Sequence, residues 1–278
     1  MRRAPHHVVS YLAFVLLVFI ASSFERLMAE PAPPLDLSEY RLTFEENFDA
    51  LDVSAWGPGS RWIAHTPWYG DFGDADFVDP RPDFPFTAEK GILRIEAKKG
   101  EDGKWRSGLL ASVDPKMQGF SQQYGYFEIR TKLPAGAGLW PAFWLIGVDR
   151  TTHTSELDIF EHHGHMPYRF SSAVQVWDRN DSSKSTNEGN LTAVPEGLLS
   201  EKFNTFGALI DPEWIRIYFN REQVWKTPTP PRFHQPMYIL LDLGMGSGWP
   251  IDKAPNPAWM YVDYVKVWSK EPERKAER

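Results

Sequence analysis

The chain has 278 residues, 42% hydrophobic and 24% charged, a balance that excludes a disordered polymer and supports a packed core. The formal net charge is −7 and no basic stripe is interleaved with aromatics, which argues against nucleic acid as a partner. Cysteine is absent, so disulfides are excluded, while 23 Pro and 20 Gly punctuate the chain and favour many strands over a helix bundle.

Arg2 and Arg3 precede an apolar run from Val8 to Ile20, and Ala21-Ser22-Ser23 follows. That order is the pattern of a secretory signal peptide. A leader over residues 1–29 is expected, with cleavage after Ser23 or Ala29. An uncleaved anchor is the alternative, although the run is shorter than the ~20 apolar residues a span needs. The expectation is a secreted or periplasmic monomer that keeps no membrane association once the leader is removed. Pro31-Ala32-Pro33-Pro34 marks a linker over residues 30–39. One domain then runs from 40 to 268 without repeats, and residues 269–278 read as a charged, solvated tail.

Within the domain, period-two alternation marks half-buried strands. Leu93, Ile95 and Ala97 interleave with Arg94 and Glu96, and Phe127 and Ile129 with Tyr126, Glu128 and Arg130. Ile215, Ile217 and Phe219 alternate similarly and lead through Asn220-Arg221-Glu222-Gln223 to Val224-Trp225, a hairpin. Tyr261 to Trp268 is a further strand. Gly197 to Phe203 suits a short helix, and Asp178 to Glu188 reads as a loop. The sum is all-β: a sandwich of two antiparallel sheets, in which a curved sheet offers a concave substrate groove.

The chemistry concentrates in Ser155-Glu156-Leu157-Asp158-Ile159-Phe160-Glu161. Side chains two apart on a strand share a face, so Glu156 and Asp158 point together while Leu157 enters the core. A regular strand would then bury Glu161 alone, which is prohibitively costly for a carboxylate. One extra residue within Ile159-Phe160, a β-bulge, returns Glu161 to the acidic face. Three acids then converge, as a retaining glycosidase requires: one attacks the anomeric carbon and another protonates the leaving oxygen. Read alone, the same acids also fit an exposed charged strand face.

Upstream lies Leu133-Pro134-Ala135-Gly136-Ala137-Gly138-Leu139-Trp140-Pro141-Ala142-Phe143-Trp144-Leu145. With the acidic strand, Tyr124-Gly125-Tyr126-Phe127-Glu128 and Val262-Asp263-Tyr264-Val265-Lys266-Val267-Trp268, it resembles glycoside hydrolase family 16 from about Tyr40 to Trp268. The resemblance implies a β-jelly-roll and retaining endo-hydrolysis of a β-linked polysaccharide. Glu156 would be the nucleophile, Glu161 the acid/base and Asp158 the supporting acid. The extra residue before Glu161 resembles the bulged branch, which includes laminarinases, agarases and carrageenases. Gly70-Asp71-Phe72-Gly73-Asp74-Ala75 and Thr227-Pro228-Thr229-Pro230 are similar to exopolysaccharide glycanases of the succinoglycan-depolymerase type. An exopolysaccharide or a β-1,3-glucan is therefore expected in preference to agarose or carrageenan. Gln175 stands where many members carry His; it can hydrogen-bond a sugar but does not titrate near neutrality.

Aromatic faces bind sugar C–H surfaces, and Trp62, Trp68, Trp105, Trp177 and Trp249 sit in Gly-, Pro- or polar-rich surroundings that suit groove edges. Trp140 and Trp144 share a face of their strand. Arg106 and Ser107 are candidates for bonding sugar hydroxyls. His162, His163 and His165 do not form a zinc set, since adjacent residues on a strand point apart. No cofactor is required; the resemblance admits a structural calcium ion near Asp263, with Asn47 where its acidic partner often stands. A transglycosylase on the same scaffold and a non-catalytic carbohydrate-binding jelly-roll are the competing readings.

Overall fold

The computed structural model describes residues 34–270, so the expected leader, the first part of the linker and residues 271–278 of the expected tail lie outside it. The described residues form two sheets. The larger runs Glu222–Pro228, Trp214–Phe219, Asn204–Ile210, Gly125–Lys132, Ala258–Lys270, Ile92–Lys99, Trp105–Ser107 and Ala75–Phe77, with Tyr40–Glu46 and Phe86–Glu89 paired beside this path. The smaller runs Thr186–Ala193, Arg169–Asp178, His153–Glu161, Leu139–Gly147, Met237–Met245, Leu109–Ala111, Trp62–Ile63 and Val53–Ser54. Two short pairings, Val53–Ser54 with Trp62–Ile63 and Ala75–Phe77 with Trp105–Ser107, are parallel, so neither sheet is wholly antiparallel as expected.

Alternation decides which faces meet. Leu93, Ile95, Ala97, Phe127 and Ile129 of the larger sheet share one core with Phe143, Leu145, Leu157, Ile239 and Leu241 of the smaller. Each buried aliphatic or aromatic side chain stabilises that arrangement by roughly 1.5–3 kcal/mol, and a one-residue slip would forfeit a whole row. A second, smaller core lies on the outer face of the smaller sheet. There Ala142, Trp144, Ile146, Tyr238 and Leu240 are covered by Trp68 and Phe72, which arrive on the connection between Trp62–Ile63 and Ala75–Phe77. This cover explains why Met237–Met245 is buried at every position. It also builds one wall of the site.

The β-bulge is present. Asp158 pairs with Trp144 and Phe160 with Phe143, leaving Ile159 as the extra residue. The hairpin turn is tighter than expected: Asn220 and Arg221 alone form it, both at positive φ (50° and 65°), and Glu222 already begins the next strand. The helix is one turn, Leu198–Glu201. Thr186–Ala193, partly inside the expected loop, is a strand at the sheet edge. It is mostly exposed, so it carries no apolar alternation from which to recognise it. Ser269 and Lys270, expected to start the tail, instead pair with Arg41 and Tyr40.

Candidate active site

The acidic strand His153–Glu161 lies between Leu139–Gly147 and Arg169–Asp178, and this register assembles the site. Glu156 stands opposite Gln175, Asp158 opposite Trp144, and Glu161 opposite Ala142. Ala142 is also opposite Asp242, which brings a fourth acid from Met237–Met245. Glu156, Asp158, Glu161 and Asp242 line an opening of about 290 Å³ together with Trp68, Asp71, Phe72, Trp140 and Trp144. Apolar walls with a few convergent polar groups are the usual composition of a ligand site.

Each acid is held by neutral donors. Trp177 Nε1 donates to Glu156 Oε2 at 2.9 Å, and Trp140 Nε1 donates to Glu161 Oε1 at 2.9 Å. Gln175 Nε2 reaches both Asp158 Oδ2 at 2.8 Å and Glu156 Oε1 at 3.3 Å. Asn187 Nδ2, on the edge strand, donates to Gln175 Oε1 at 3.1 Å and so fixes which end of that amide faces the acids. Trp144 Nε1 and the Gly244 amide donate to the two oxygens of Asp242 at 2.8 and 2.9 Å.

Burial dominates the electrostatics. It raises Glu156 and Glu161 above the ordinary glutamate range and Asp158 well above the aspartate range. Repulsion from Glu156 and Glu161 adds to the effect at Asp158, while the Gln175 bond opposes it. Asp242 is pushed up to about 8, first by burial. The two glutamates are not equivalent. At Glu156 the Trp177 bond and, more weakly, the Arg150 guanidinium oppose burial while repulsion from Glu161 adds to it, whereas at Glu161 the Trp140 bond alone opposes burial.

The structure gathers Trp140, Trp144, Gln175 and Trp177 around the acids, and Trp68 with them. Trp249 lies further along, its ring 44% exposed. Four expected sugar contacts are corrected. Trp62 is 1% exposed, packed edge-on to Phe44, and donates its indole N–H to Glu46. Trp105 belongs to the main core. Arg106 sits beside it in the larger sheet and is bound through two nitrogens to Asp102 at 2.9 and 2.7 Å. Ser107 is buried, donating to the Leu243 carbonyl. The Gly and polar neighbours of these residues signal turns, not exposure.

His162 is buried, with Nδ1 at 3.0 Å from the Arg169 carbonyl and its pKa pushed down to about 4 by burial. His163 and His165 pack against tryptophans. The Asp263 carboxylate is engaged by the Arg130 guanidinium, and among the described residues no group of three or more His, Asp or Glu is placed to hold a metal. Asp242, Asn187 and Arg150 were missed from the sequence. Their only shared signal is polarity beside otherwise strand-like or turn-like residues.

Converging carboxyl groups of raised pKa in an aromatic-walled opening suit the cleavage of a glycoside. The family model described as Glycosyl hydrolases family 16 matches residues 87–266, and the chain belongs to this family. It is 30% identical over 279 residues to the endo-1,3-1,4-beta-glycanase EglC of Rhizobium meliloti (strain 1021), covering 91% of this chain and 57% of that protein. A beta-glucanase of Rhodothermus marinus is 31% identical over 202 residues, covering 64% of this chain and 68% of the relative. The chain thus spans little more than half the length of EglC. The catalytic domain of a laminarinase from Thermotoga petrophila superimposes with a TM-score of 0.65 at 24% identity, covering 84% of this chain and 99% of that one. At that identity the likeness speaks for a shared jelly-roll fold.

Proposed function

We propose that the protein is an endo-acting, retaining β-glycanase that hydrolyses a β-linked glucan or a glucose-containing exopolysaccharide outside the cytoplasm. The observation that carries this reading is the acid trio of Glu156, Asp158 and Glu161, drawn onto one face by the bulge and bonded by neutral donors only. A Glu156 oxygen attacks the anomeric carbon while Glu161 gives its proton to the departing glycosidic oxygen, and the C–O bond breaks. Glu161 then takes a proton from water as that water attacks the same carbon, and Glu156 is released. Asp158, its pKa raised well above the aspartate range by burial, shares the Gln175 amide with Glu156 and so supports it. Gln175 and Trp177 orient the nucleophile, and Trp140 orients the proton donor. The name of one relative, a beta-glucanase, supports glucose as the unit.

Laminarin, mixed-linkage glucan, succinoglycan and agarose, compared at equal mass concentration, test the substrate; agarose as the fastest would reject a glucan. Proton NMR of the first-formed reducing sugar tests the mechanism. The β-anomer is expected before mutarotation, and initial α-anomer would exclude a covalent intermediate on Glu156.

A further inference from the structure

Arg106, Arg130, Arg216 and Arg221 of the larger sheet are each engaged by a carboxylate, from Asp102, Asp263, Asp211 and Glu128. Arg169, in the smaller sheet, has no carboxylate within ion-pair distance among the described residues. Its Nε and one terminal nitrogen instead face the Met166 sulfur, and its guanidinium stands 5.8 Å from the centre of the Tyr168 ring. A thioether is a weak acceptor, so this guanidinium keeps most of its capacity to donate.

Alternation along Arg169–Asp178 sets Arg169 in the functional row. Gln175 and Trp177 reach the acids from this strand, and Arg169, Ser171 and Ala173 share their face. Gln175 stands opposite Glu156 and Ser171 opposite Glu161, so Arg169 lies one step beyond Glu161 on the side away from Glu156. Glu161, His163, Met166, Arg169, Ser171 and Leu191 line a recess of about 40 Å³. That volume admits a group of a few atoms and not a sugar ring. Leu191 is 61% exposed at its rim, so the recess opens outward. The charge of Arg169 is felt there: after burial and His165, it helps to hold His163 below its ordinary pKa. Glu161 shares the recess without pairing with Arg169, its carboxylate being held by Trp140.

A neutral glucan offers this guanidinium no counter-charge. The net charge of −7 and the acids of the site repel an anionic chain, and a local cation is what offsets that repulsion beside Glu161. The planar fork of an arginine matches a carboxylate in two parallel bonds. We propose that Arg169 and this recess bind a carboxylate carried as a substituent on the sugar that departs when Glu161 gives up its proton. The substrate is then a glycan with acidic side groups, cleaved next to one of them. This deepens the reading given under Proposed function and rests on Glu161 as proton donor, because the departing sugar adjoins the group that protonates it. The bond is charge-assisted but open to solvent, so salt weakens it.

The test compares laminarin, carboxymethylated laminarin and the methylamide of the latter, which keeps the backbone and the degree of substitution but removes the charge. The full chain as wild type, Arg169→Gln and Arg169→Lys is assayed for new reducing ends at substrate concentrations below KM. The quantity read is the ratio of kcat/KM on the carboxylate form to that on the amide, which cancels differences in folded fraction. In the wild type the carboxylate form should be favoured roughly tenfold, equivalent to about 1.4 kcal/mol. That preference should shrink toward unity between about 20 and 500 mM salt. Arg169→Gln should show no preference at either salt concentration, and Arg169→Lys should keep part of it, as a charge without the fork. A wild type that cleaves laminarin but shows no preference for the carboxylate would overturn the proposal and leave the glucan reading intact. A preference that persists undiminished in Arg169→Gln would take Arg169 and its recess out of it. If the wild type cleaves none of the three, the glucan reading fails and the proposal with it.

Discussion

Glu128 on the larger sheet and Glu156, Asp158 and Glu161 on the smaller are all withdrawn from water, but they are served by different partners. Glu128 is fully buried and receives two bonds from Arg221, at 3.0 and 2.9 Å, and one each from the Tyr126 and Tyr264 hydroxyls at 2.9 Å. The two-residue turn at Asn220-Arg221 aims the guanidinium, and Gly207 leaves room for Tyr126, since a Cβ there would lie 2.3 Å from the tyrosine oxygen. On the smaller sheet three acids share indole and amide donors, and Arg150, the cation that acts on Glu156, is stacked on Trp68 at 4.1 Å. A buried carboxylate given a full complement of donors and a counter-charge is a structural element. Acids buried together with too little positive charge keep raised pKa values, and that is a condition for proton transfer and nucleophilic attack near neutrality.

Substitution in the two clusters should separate these roles. The largest effect is expected at the acid trio: Glu156→Gln and Glu161→Gln should each lower turnover by roughly a thousandfold or more, with the circular dichroism spectrum unchanged. Near-wild-type rates in either folded variant would remove that residue from the mechanism. Glu128→Ala should do the reverse. It strands the Tyr126 hydroxyl and breaks the Arg221 pair, a loss of about 3–5 kcal/mol in stability that should lower the melting temperature by roughly 10 °C. The specific activity of the remaining folded protein should hardly change. A stable Glu128→Ala protein with lost activity would undo the contrast between the sheets.

The smallest effect sharpens the comparison through pH. Asp242 has a folded pKa of about 8 against 3.8 for an ordinary aspartate, so the folded protein keeps a proton that the unfolded chain releases. Its stabilising contribution is complete below about pH 4 and is lost as pH rises through about 8. The acid trio, also shifted upward, acts with the same sign. His162, pushed down to about 4, acts in the opposite window, costing stability as pH falls below its ordinary 6.5. The wild-type melting temperature should therefore fall between about pH 6.5 and 8. Asp242→Asn should flatten that decline while losing one of the bonds from Trp144 or Gly244, on the order of 1 kcal/mol. An equal decline in both proteins would take Asp242 out of the account.

Periodicity alone determined much of this protein, because a strand's two-residue repeat is a local property. Leu93-Ile95-Ala97 and Phe127-Ile129 declared their inner faces, and the position of Glu161 required the bulge before any partner strand was known. The acid trio was legible for the same reason: its members lie on one strand. Tertiary structure decided what depends on the far side of a pairing. Asp242 joins the site only because Ala142 stands between it and Glu161, and Asn187 only because an edge strand without apolar alternation pairs beside Gln175. It also decided which tryptophans face the opening. Trp62 and Trp105 share the Gly- and polar-rich surroundings of Trp249, but cross-sheet packing encloses the first two, while a strained turn holds the third outward. Exposure is set by what covers a residue, and the covering groups come from distant parts of the chain.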